Sequence, residues 1–393
     1  MSVQSTSAGG FDYPHSVAAD PRTGVIYVAE ADSARIQELT SGGEFVAMFG
    51  WDVNGTEDKR ARATQAEKNL CTAASKDVCQ AGIAGTAAGQ LDTPGSVAVD
   101  PRTGDVYVLG IERGDFRVDK LTGDGRFLWR AGKRVNETTG ANLCTAQEIE
   151  RAGDRCGPGL VNASESAEHL AFKFSGQSGD VLAVGGPEDL LYVGDEHRVQ
   201  VLGSNGAWKG EISLASISAE PGTGVTALAV SPTGETYLVY RVGNGELELP
   251  AEQANIVHKF APSGEQISEY EVKTGIPGAV DSIHSMAVDE LGRLALMGFE
   301  TGGAGSGRFG LLYNASTGAL LTSFPAPIDM DGIAFNAGGE LDVATAVDEE
   351  IAVYIPAPLS EFAREPLPCE VEINKGAQEA YPCYASGRYT IPE

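Results

Sequence analysis

The chain has 393 residues, 50 of them glycine, and a formal net charge of −27. So large a surplus of carboxylates argues against binding to nucleic acid and to anionic membrane surfaces, because both need clustered Lys and Arg. No stretch approaches the roughly 20 apolar residues of a membrane-spanning helix, and the first residues carry neither the charged nor the apolar part of a signal peptide. We therefore expect a globular protein with many tight turns and without membrane insertion.

One segment occurs twice, almost residue for residue. PHSVAADPRTGVIYV at Pro14–Val28 returns as PGSVAVDPRTGDVYV at Pro94–Val108. Each copy holds three apolar runs bounded by Gly, Asp and Pro, and all copies but the last hold a fourth, which is typical of β-strands. Four weaker copies follow, with first runs at Val181–Val184, Ala227–Val230, Ser285–Asp289 and Gly332–Phe335.

Six copies predict an all-β fold, a six-bladed β-propeller of four-stranded antiparallel blades with long disulfide-containing inserts on one face. The propeller is expected to span residues 1–358, and residues 359–393 to form a small disulfide-closed C-terminal appendage or linker. The last copy lacks a fourth run before Pro356, so we expect Val3–Ser7 or, as the alternative, Glu370–Ile373 to close the ring. The expected blades are approximately residues 11–53, 91–135, 177–214, 223–272, 281–327 and 329–358, with inserts at 52–90 and 134–176.

The six cysteines fall into three local pairs, Cys71/Cys79, Cys144/Cys156 and Cys369/Cys383. Six cysteines allow 15 pairings, so local pairing is a preference. Without a CxxC motif or a histidine at ligand spacing, disulfides are favoured over zinc, and they predict an oxidising compartment: a secreted or cell-surface protein. Four glycosylation sequons agree weakly with that location, at Asn54, Asn136, Asn162 and Asn314.

The lengths of the connections differ between the two faces of the predicted ring. Connections between first and second strands, and between third and fourth strands, read as tight turns. The long connections share the other face, and both large inserts contain Asn-Leu-Cys-Thr-Ala, at Asn69–Ala73 and Asn142–Ala146. This loop-rich face also gathers acidic residues, among them Glu30, Asp195 and Glu196. We expect it to bind a ligand, although the inserts could instead be braces across the rim.

The residue that opens each innermost strand should point to the mouth of the central channel. These residues are His15, Gly95, Asp180, Thr226, His284 and Asp331. Two imidazoles and two carboxylates around one axis could hold a divalent metal, so His15, Asp180, His284 and Asp331 are the candidate metal ligands. A histidine at this position is also common without a metal. The sequence predicts no catalytic residue and no other cofactor-binding residue, because no catalytic motif occurs.

The repeat resembles the NHL repeat of bacterial secreted or surface six-bladed propellers. The pattern is carried by Pro14–Val28 with Arg35–Gln37, by Pro94–Val108, and by Tyr192 and Val193 with Arg198–Gln200. The resemblance implies relatives among amidating lyases, whose inner-strand histidines hold a metal, and among lactonases with an axial metal. His15 and His284 match such positions, but a third histidine is missing, so the carboxylates would have to replace it as ligands.

Three functions remain open from the sequence. The first is an extracellular or cell-surface binding module that recognises a glycan, peptide or protein through its insert-bearing acidic face. The second is a metal-dependent lyase or lactonase with its site at the channel mouth, and the third is a structural repeat module of a larger surface assembly. The first is favoured, which leans against an enzyme, and the oligomeric state is not predicted.

Overall fold

The computed structural model shows an all-β propeller. It describes residues 5–110, 116–160, 168–172, 181–196, 198–214, 224–241, 256–272, 279–301, 307–325, 330–345, 350–354, 367–370 and 380–383. Within these ranges, no helix is long and apolar enough to cross a bilayer.

Five antiparallel sheets of four or five strands follow one another along the chain, and each is a meander whose first strand is innermost. The first blade holds β1 (Pro14–Ala19), β2 (Ile26–Glu30), β3 (Arg35–Leu39), β4 (Phe45–Gly50) and β5 (Leu70–Thr72). The second holds β6 (Pro94–Val99), β7 (Val106–Gly110), β8 (Arg117–Leu121), β9 (Phe127–Gly132) and β10 (Leu143–Thr145). The third holds β11 (Leu182–Gly185), β12 (Leu190–Gly194), β13 (Arg198–Leu202) and β14 (Trp208–Ser213). The fourth holds β15 (Gly224–Val230), β16 (Thr236–Arg241), β17 (Ile256–Phe260) and β18 (Gln266–Glu271). The fifth holds β19 (Ala279–Val288), β20 (Arg293–Thr301), β21 (Gly307–Asn314) and β22 (Ala319–Pro325).

The prediction of six four-stranded blades is wrong, because five sheets reach four strands. The sixth repeat forms a three-stranded sheet of β23 (Met330–Phe335), β24 (Leu341–Thr345) and β25 (Glu350–Tyr354). β23 packs against both β19 and β1. The sequence that follows β25 contains Pro356 and Pro358, which lack the N–H that a central strand needs.

Neither expected closing strand is observed in the described residues. Ser5–Ser7 form no strand, and residues 1–4 lie outside the description. In the tail, β26 (Leu367–Glu370) pairs with β27 (Ala380–Cys383) as a separate two-stranded hairpin, and residues 371–373 lie outside the description.

The two inserts each add a fifth strand that the sequence did not predict. β5 pairs with β4, and β10 pairs with β9, so the repeated Leu-Cys-Thr sequence forms the outer edge of blades one and two. The disulfides Cys71–Cys79 and Cys144–Cys156 are confirmed. The side chains of Cys369 and Cys383 lie outside the description, so the third pair stays a prediction. The described part of the inserts also contains three short helices: α1 (Gly55–Asp58), α2 (Gln65–Lys68) and α3 (Ala146–Ala152).

Each of the first three blades buries an arginine at the beginning of its third strand: Arg35, Arg117 and Arg198. The guanidinium donates to backbone carbonyls of the segment that leads into the innermost strand of the same blade. The accepting carbonyls belong to Gly10 in the first blade, Gly85 and Gln90 in the second, and Glu168 and Ala171 in the third. Carbonyls of an irregular buried segment need such donors, so the arginines fix how the chain enters each blade.

The second blade buries an additional arginine, Arg130, where the first blade has Met48. Arg130 and Arg117 share the carboxylate of Asp119, with Nε–oxygen distances of 2.7 and 3.2 Å. Burial, and then the nearby Arg130 guanidinium, lowers the pKa of Arg117 to about 10. Two buried cations therefore depend on one carboxylate, and backbone carbonyls accept from Nη2 of Arg117 and from both Nη atoms of Arg130.

Replacement of Asp119 by Asn should lower the free energy of unfolding by about 3–5 kcal/mol, because two buried guanidinium groups would lose their shared counter-charge. The control is Arg102→Ala, which removes a largely exposed ion pair to Asp189 and should change stability by less than about 1 kcal/mol. Denaturant unfolding of both variants checks this. Equally small losses in the free energy of unfolding for the two variants would contradict the role given to Asp119.

Candidate functional site

The central channel contains a cavity of about 520 Å³ at the end where the tight turns join first and second strands. Each of the six innermost strands contributes three consecutive apolar residues, and the middle one is always alanine. These triplets are Val17–Ala19, Val97–Val99, Leu182–Val184, Leu228–Val230, Met286–Val288 and Ile333–Phe335. Asp189, Asp289, Glu290 and Asn336 stand at the rim. The sequence analysis directed attention to the opposite, loop-rich end, and did not predict this cavity.

Serine hydroxyls connect neighbouring innermost strands around the channel. The N–H of Val97 donates to Ser16 Oγ of the preceding blade at 3.1 Å, and the N–H of Leu182 donates to Ser96 Oγ at 3.3 Å. The same contact recurs between Ile333 and Ser285, at 3.0 Å. An innermost strand pairs on one edge alone, so the other edge takes its acceptors from the neighbouring blade.

His15 makes a further contact between blades. Its Nδ1 lies 2.7 Å from the carbonyl oxygen of Gly95 on β6. A carbonyl oxygen can accept but not donate, so Nδ1 carries the proton. In the neutral imidazole the lone pair is then on Nε2. A histidine that binds a metal through Nε2 and donates its Nδ1–H to a carbonyl has the same tautomer.

Two members of the predicted metal set lie on strands that both contact β23. His15 on β1 and His284 on β19 are both half-buried, and both strands contact β23, which carries Asp331. The side chain of Asp331 and the whole of Asp180 lie outside the description. Among the described residues, no group of three or more His, Cys, Asp and Glu side chains could hold a metal. The described residues alone therefore do not fit a metal centre.

Several carboxylates expected on the acidic loop face are instead internal. Glu30 is fully buried, and Arg35 donates to both of its oxygens. Asp195 is also buried, where it accepts from Arg198, and Glu196 is buried beside it. The prediction of exposed charge is wrong for these three residues. For Glu30 and Asp195 the reason is that the buried arginines of the third strands require carboxylate partners.

The inserts fold as two copies of one unit, which we call the first cystine module (residues 53–83) and the second cystine module (residues 135–160). Asn54 begins the first module, where its Oδ1 accepts from two backbone N–H groups and its Nδ2 donates to Asp77. Asn136 does the same in the second module, with Asp154 in place of Asp77. Each disulfide packs with a buried valine against the fourth strand of its blade.

This frame explains two of the four sequons. Asn54 and Asn136 are 3% and 0% exposed, and their amides are fully engaged in the module. At both positions the Asn-x-Thr pattern forms a capped turn, so neither asparagine is open to glycosylation in the folded protein. Asn314 also caps a turn, and Asn162 lies outside the description.

One buried carboxyl on the sixth sheet has an incomplete hydrogen-bond set. Asp342 on β24 is fully buried; its Oδ1 accepts from Asn336, and its Oδ2 has no partner among the described residues. Asp342 lies opposite Ala334, which is the middle alanine of this sheet's cavity-lining triplet. In four of the blades, a tyrosine lies opposite the equivalent alanine. Burial raises the pKa of Asp342 to about 7.

The fold and the channel define the class of this protein as a β-propeller. No protein-family model matches the chain, and no curated protein matches it. Solved structures resemble it weakly. A streptogramin B lyase structure has a TM-score of 0.43 and 12% identity, over 89% of this chain and 94% of that one. A gluconolactonase from Xanthomonas campestris has a TM-score of 0.44 and 13% identity, over 86% of this chain and 85% of that one. Hydrazine synthase from Kuenenia stuttgartiensis has a TM-score of 0.47 and 8% identity, over 91% of this chain and 98% of that one. Likenesses at this level carry no argument about activity.

The raised pKa of Asp342 makes stability depend on pH. The carboxyl is neutral in the folded protein below about pH 7 but ionises near pH 4 when unfolded, so its contribution is lost as pH rises from about 4 through 7. The Asp342→Asn variant should exceed the wild type in stability by about 1.5 kcal/mol at pH 5 and by roughly 4 kcal/mol at pH 9, because the wild-type loss begins near pH 4. Urea unfolding at both values checks this, with Glu290→Gln as an exposed control. If the free energies of unfolding of the wild type and of Asp342→Asn change in parallel with pH, the raised pKa of Asp342 is contradicted.

Proposed function

We propose that this chain is a secreted or cell-surface binding propeller that holds a protein or peptide through its two cystine modules. The observation that carries the proposal is an apolar side chain at the same place in both modules. Ile83 donates its N–H to the carbonyl of Trp51, and Leu160 donates to the equivalent carbonyl of Lys133. Ile83 is 52% exposed and Leu160 is 47% exposed. Exposed aliphatic side chains on adjacent rigid supports are a feature of protein-binding surfaces.

The construction of the modules supports this use. Each is fixed by a disulfide, by an asparagine-capped turn and by a strand added to its blade, so a partner would meet a surface ordered before binding. Binding to such a surface requires little further ordering. The two disulfides also favour an oxidising compartment. A glycan is the less favoured ligand, because the matched exposed residues are aliphatic.

We also propose that the three-stranded sheet acts as an incomplete sixth blade of an NHL-type ring. β23 supplies the same apolar triplet to the cavity as the other innermost strands, and Ile333 binds Ser285 as Val97 binds Ser16. Both features support a ring with six positions. A strand from either end of the chain would complete the outer edge of this sheet.

A metal-dependent lyase or lactonase is the second candidate function, favoured by the tautomer of His15, which leaves Nε2 able to ligate. It needs His284 and also Asp180 and Asp331, whose side chains lie outside the description. The described residues supply no complete ligand set, so no reaction step follows from them.

The double variant Ile83→Asp with Leu160→Asp should weaken binding of a cognate peptide or protein domain by about tenfold or more, because it places charge at the centre of an apolar contact. A panel of defined peptides, domains and glycans, measured by isothermal titration calorimetry, identifies the ligand first. Leu291→Asp is the matched control: Leu291 is 62% exposed at the tight-turn end, beside the cavity. Loss of binding in the control with retention in the double variant would contradict the proposal.

The metal hypothesis predicts about one equivalent of a divalent ion in the purified protein, and its loss in His15→Ala and in His284→Ala. Elemental analysis of the three proteins measures this. Wild-type protein without stoichiometric metal after incubation with zinc, manganese or calcium salts would exclude the second candidate.

A further inference from the structure

The two cystine modules share one frame but differ in one hairpin. Both begin at an asparagine that caps a turn, and both return at a second asparagine, Asn69 or Asn142, whose carbonyl accepts from the last residue of the blade's fourth strand. Between these points the first module has residues 55–68, including α1 and α2, whereas the second has a short turn of residues 137–141. The second module forms its disulfide and its edge strand with the short turn. The longer hairpin is therefore not required by the frame.

That additional hairpin carries a group of cations on a chain whose net charge is −27. Lys59, Arg60 and Arg62 are exposed in the connection between α1 and α2. We call these three residues the cationic tip. Arg60 forms an ion pair with Glu57 at the surface, at 2.5 Å.

The cationic tip stands on an ordered base. Thr64 and Glu67 form a reciprocal capping box at the beginning of α2. Gln65 donates to Asp52, and Lys68 forms an ion pair with Asp58 on α1. These contacts hold the hairpin against the module in one conformation, which favours a binding role over an unstructured loop.

An exposed aliphatic residue lies beside the hairpin. Val78 is 66% exposed, and its backbone is bound on both sides to the first turn of α1: its carbonyl accepts from Gly55 and its N–H donates to Thr56. The cationic tip follows this turn of helix. Positive charge next to an aliphatic side chain matches a peptide that has both acidic and apolar residues, whereas an anionic polysaccharide would use the charge alone.

We propose that the cationic tip and Val78 form the docking site for an acidic peptide segment that carries an apolar residue. The inference rests on the proposed function and names its partner class. The negative charge elsewhere on the molecule repels such a peptide, so the tip also sets the orientation in which the partner approaches. Screening by salt should therefore weaken the complex.

Two variants of the full chain test the site with a labelled peptide of alternating Glu and Leu, followed by fluorescence anisotropy. One reverses the charges of Lys59, Arg60 and Arg62 to Glu. The other replaces residues 55–68 with a copy of residues 137–141, so that the first module takes the frame of the second. The matched control reverses Arg22, Arg126 and Lys209, which are exposed cations outside both modules. Circular dichroism and thiol titration establish that each variant is folded and disulfide-bonded.

Both tip variants should weaken peptide binding by about tenfold or more at low salt, the control should bind as the wild type does, and high salt should weaken the wild-type complex. Val78→Asp should weaken it as well. Equal binding by the wild type and the charge-reversed protein would overturn the inference. Binding of heparin that depends on the tip but not on Val78, without binding of the peptide, would overturn the peptide class in favour of a polysaccharide. If Ile83→Asp with Leu160→Asp abolishes binding of another partner while the tip variants do not, this inference fails and the proposed function stands.

Discussion

The inner edge of each innermost strand is the constraint on which the ring depends. Such a strand pairs with one neighbour, so half of its backbone groups face the channel or the next blade. Ser16, Ser96 and Ser285 each accept a hydrogen bond from a backbone N–H of the following sheet. His15 donates a hydrogen bond to a backbone carbonyl of the following blade. The three serine contacts share one register, because each donating N–H belongs to the residue that precedes the cavity-lining alanine of its strand. Small side chains at that position follow from the crowding of six strands around one axis.

The outer edge of each sheet also has unpaired backbone groups, and the blades protect it in other ways. In blades one and two the cystine modules add β5 and β10, so the edge of the fourth strand is covered by the chain itself. In blades three and four, β14 and β18 are the outer strands, and they carry exposed charged residues such as Lys209 and Glu269, which discourage pairing between molecules. The modules therefore have two consequences: they protect an edge, and they project a rigid surface beyond the blade.

Local patterns predicted most of the strands, because each strand has its own apolar run bounded by turn residues. The near-identity of Pro14–Val28 and Pro94–Val108 predicted the repeat, and the cysteine spacing predicted three disulfides, of which two are confirmed. The fifth strands were missed because Leu70–Thr72 and Leu143–Thr145 are too short to show a period, although their repetition was a usable signal. Burial of Glu30 and Asp195 was missed for another reason. A carboxylate in a connection reads as exposed unless its arginine partner is recognised, and the Arg-x-Gln sequence at Arg35 and Arg198 was that signal. The cavity depends on how the first strands of successive sheets come together, which no local pattern describes.

Structural constraint also ranks the functional interpretations. His15 occupies a position that joins two blades, so its contact with Gly95 gives it a structural role whether or not a metal binds. A residue type at such a position is a weak indicator of chemistry. A segment that differs between two copies of one frame is a stronger indicator of function, because the shared frame does not need it. The frames of the cystine modules agree in their capping asparagines, their Asp partners and their disulfides, and those residues are explained by folding. The hairpin with Lys59, Arg60 and Arg62 is absent from the second copy, which folds without it, so stability does not explain the hairpin. The proposed recognition of a partner gives the hairpin a role, and it directs the search for function to the cystine modules rather than to the channel.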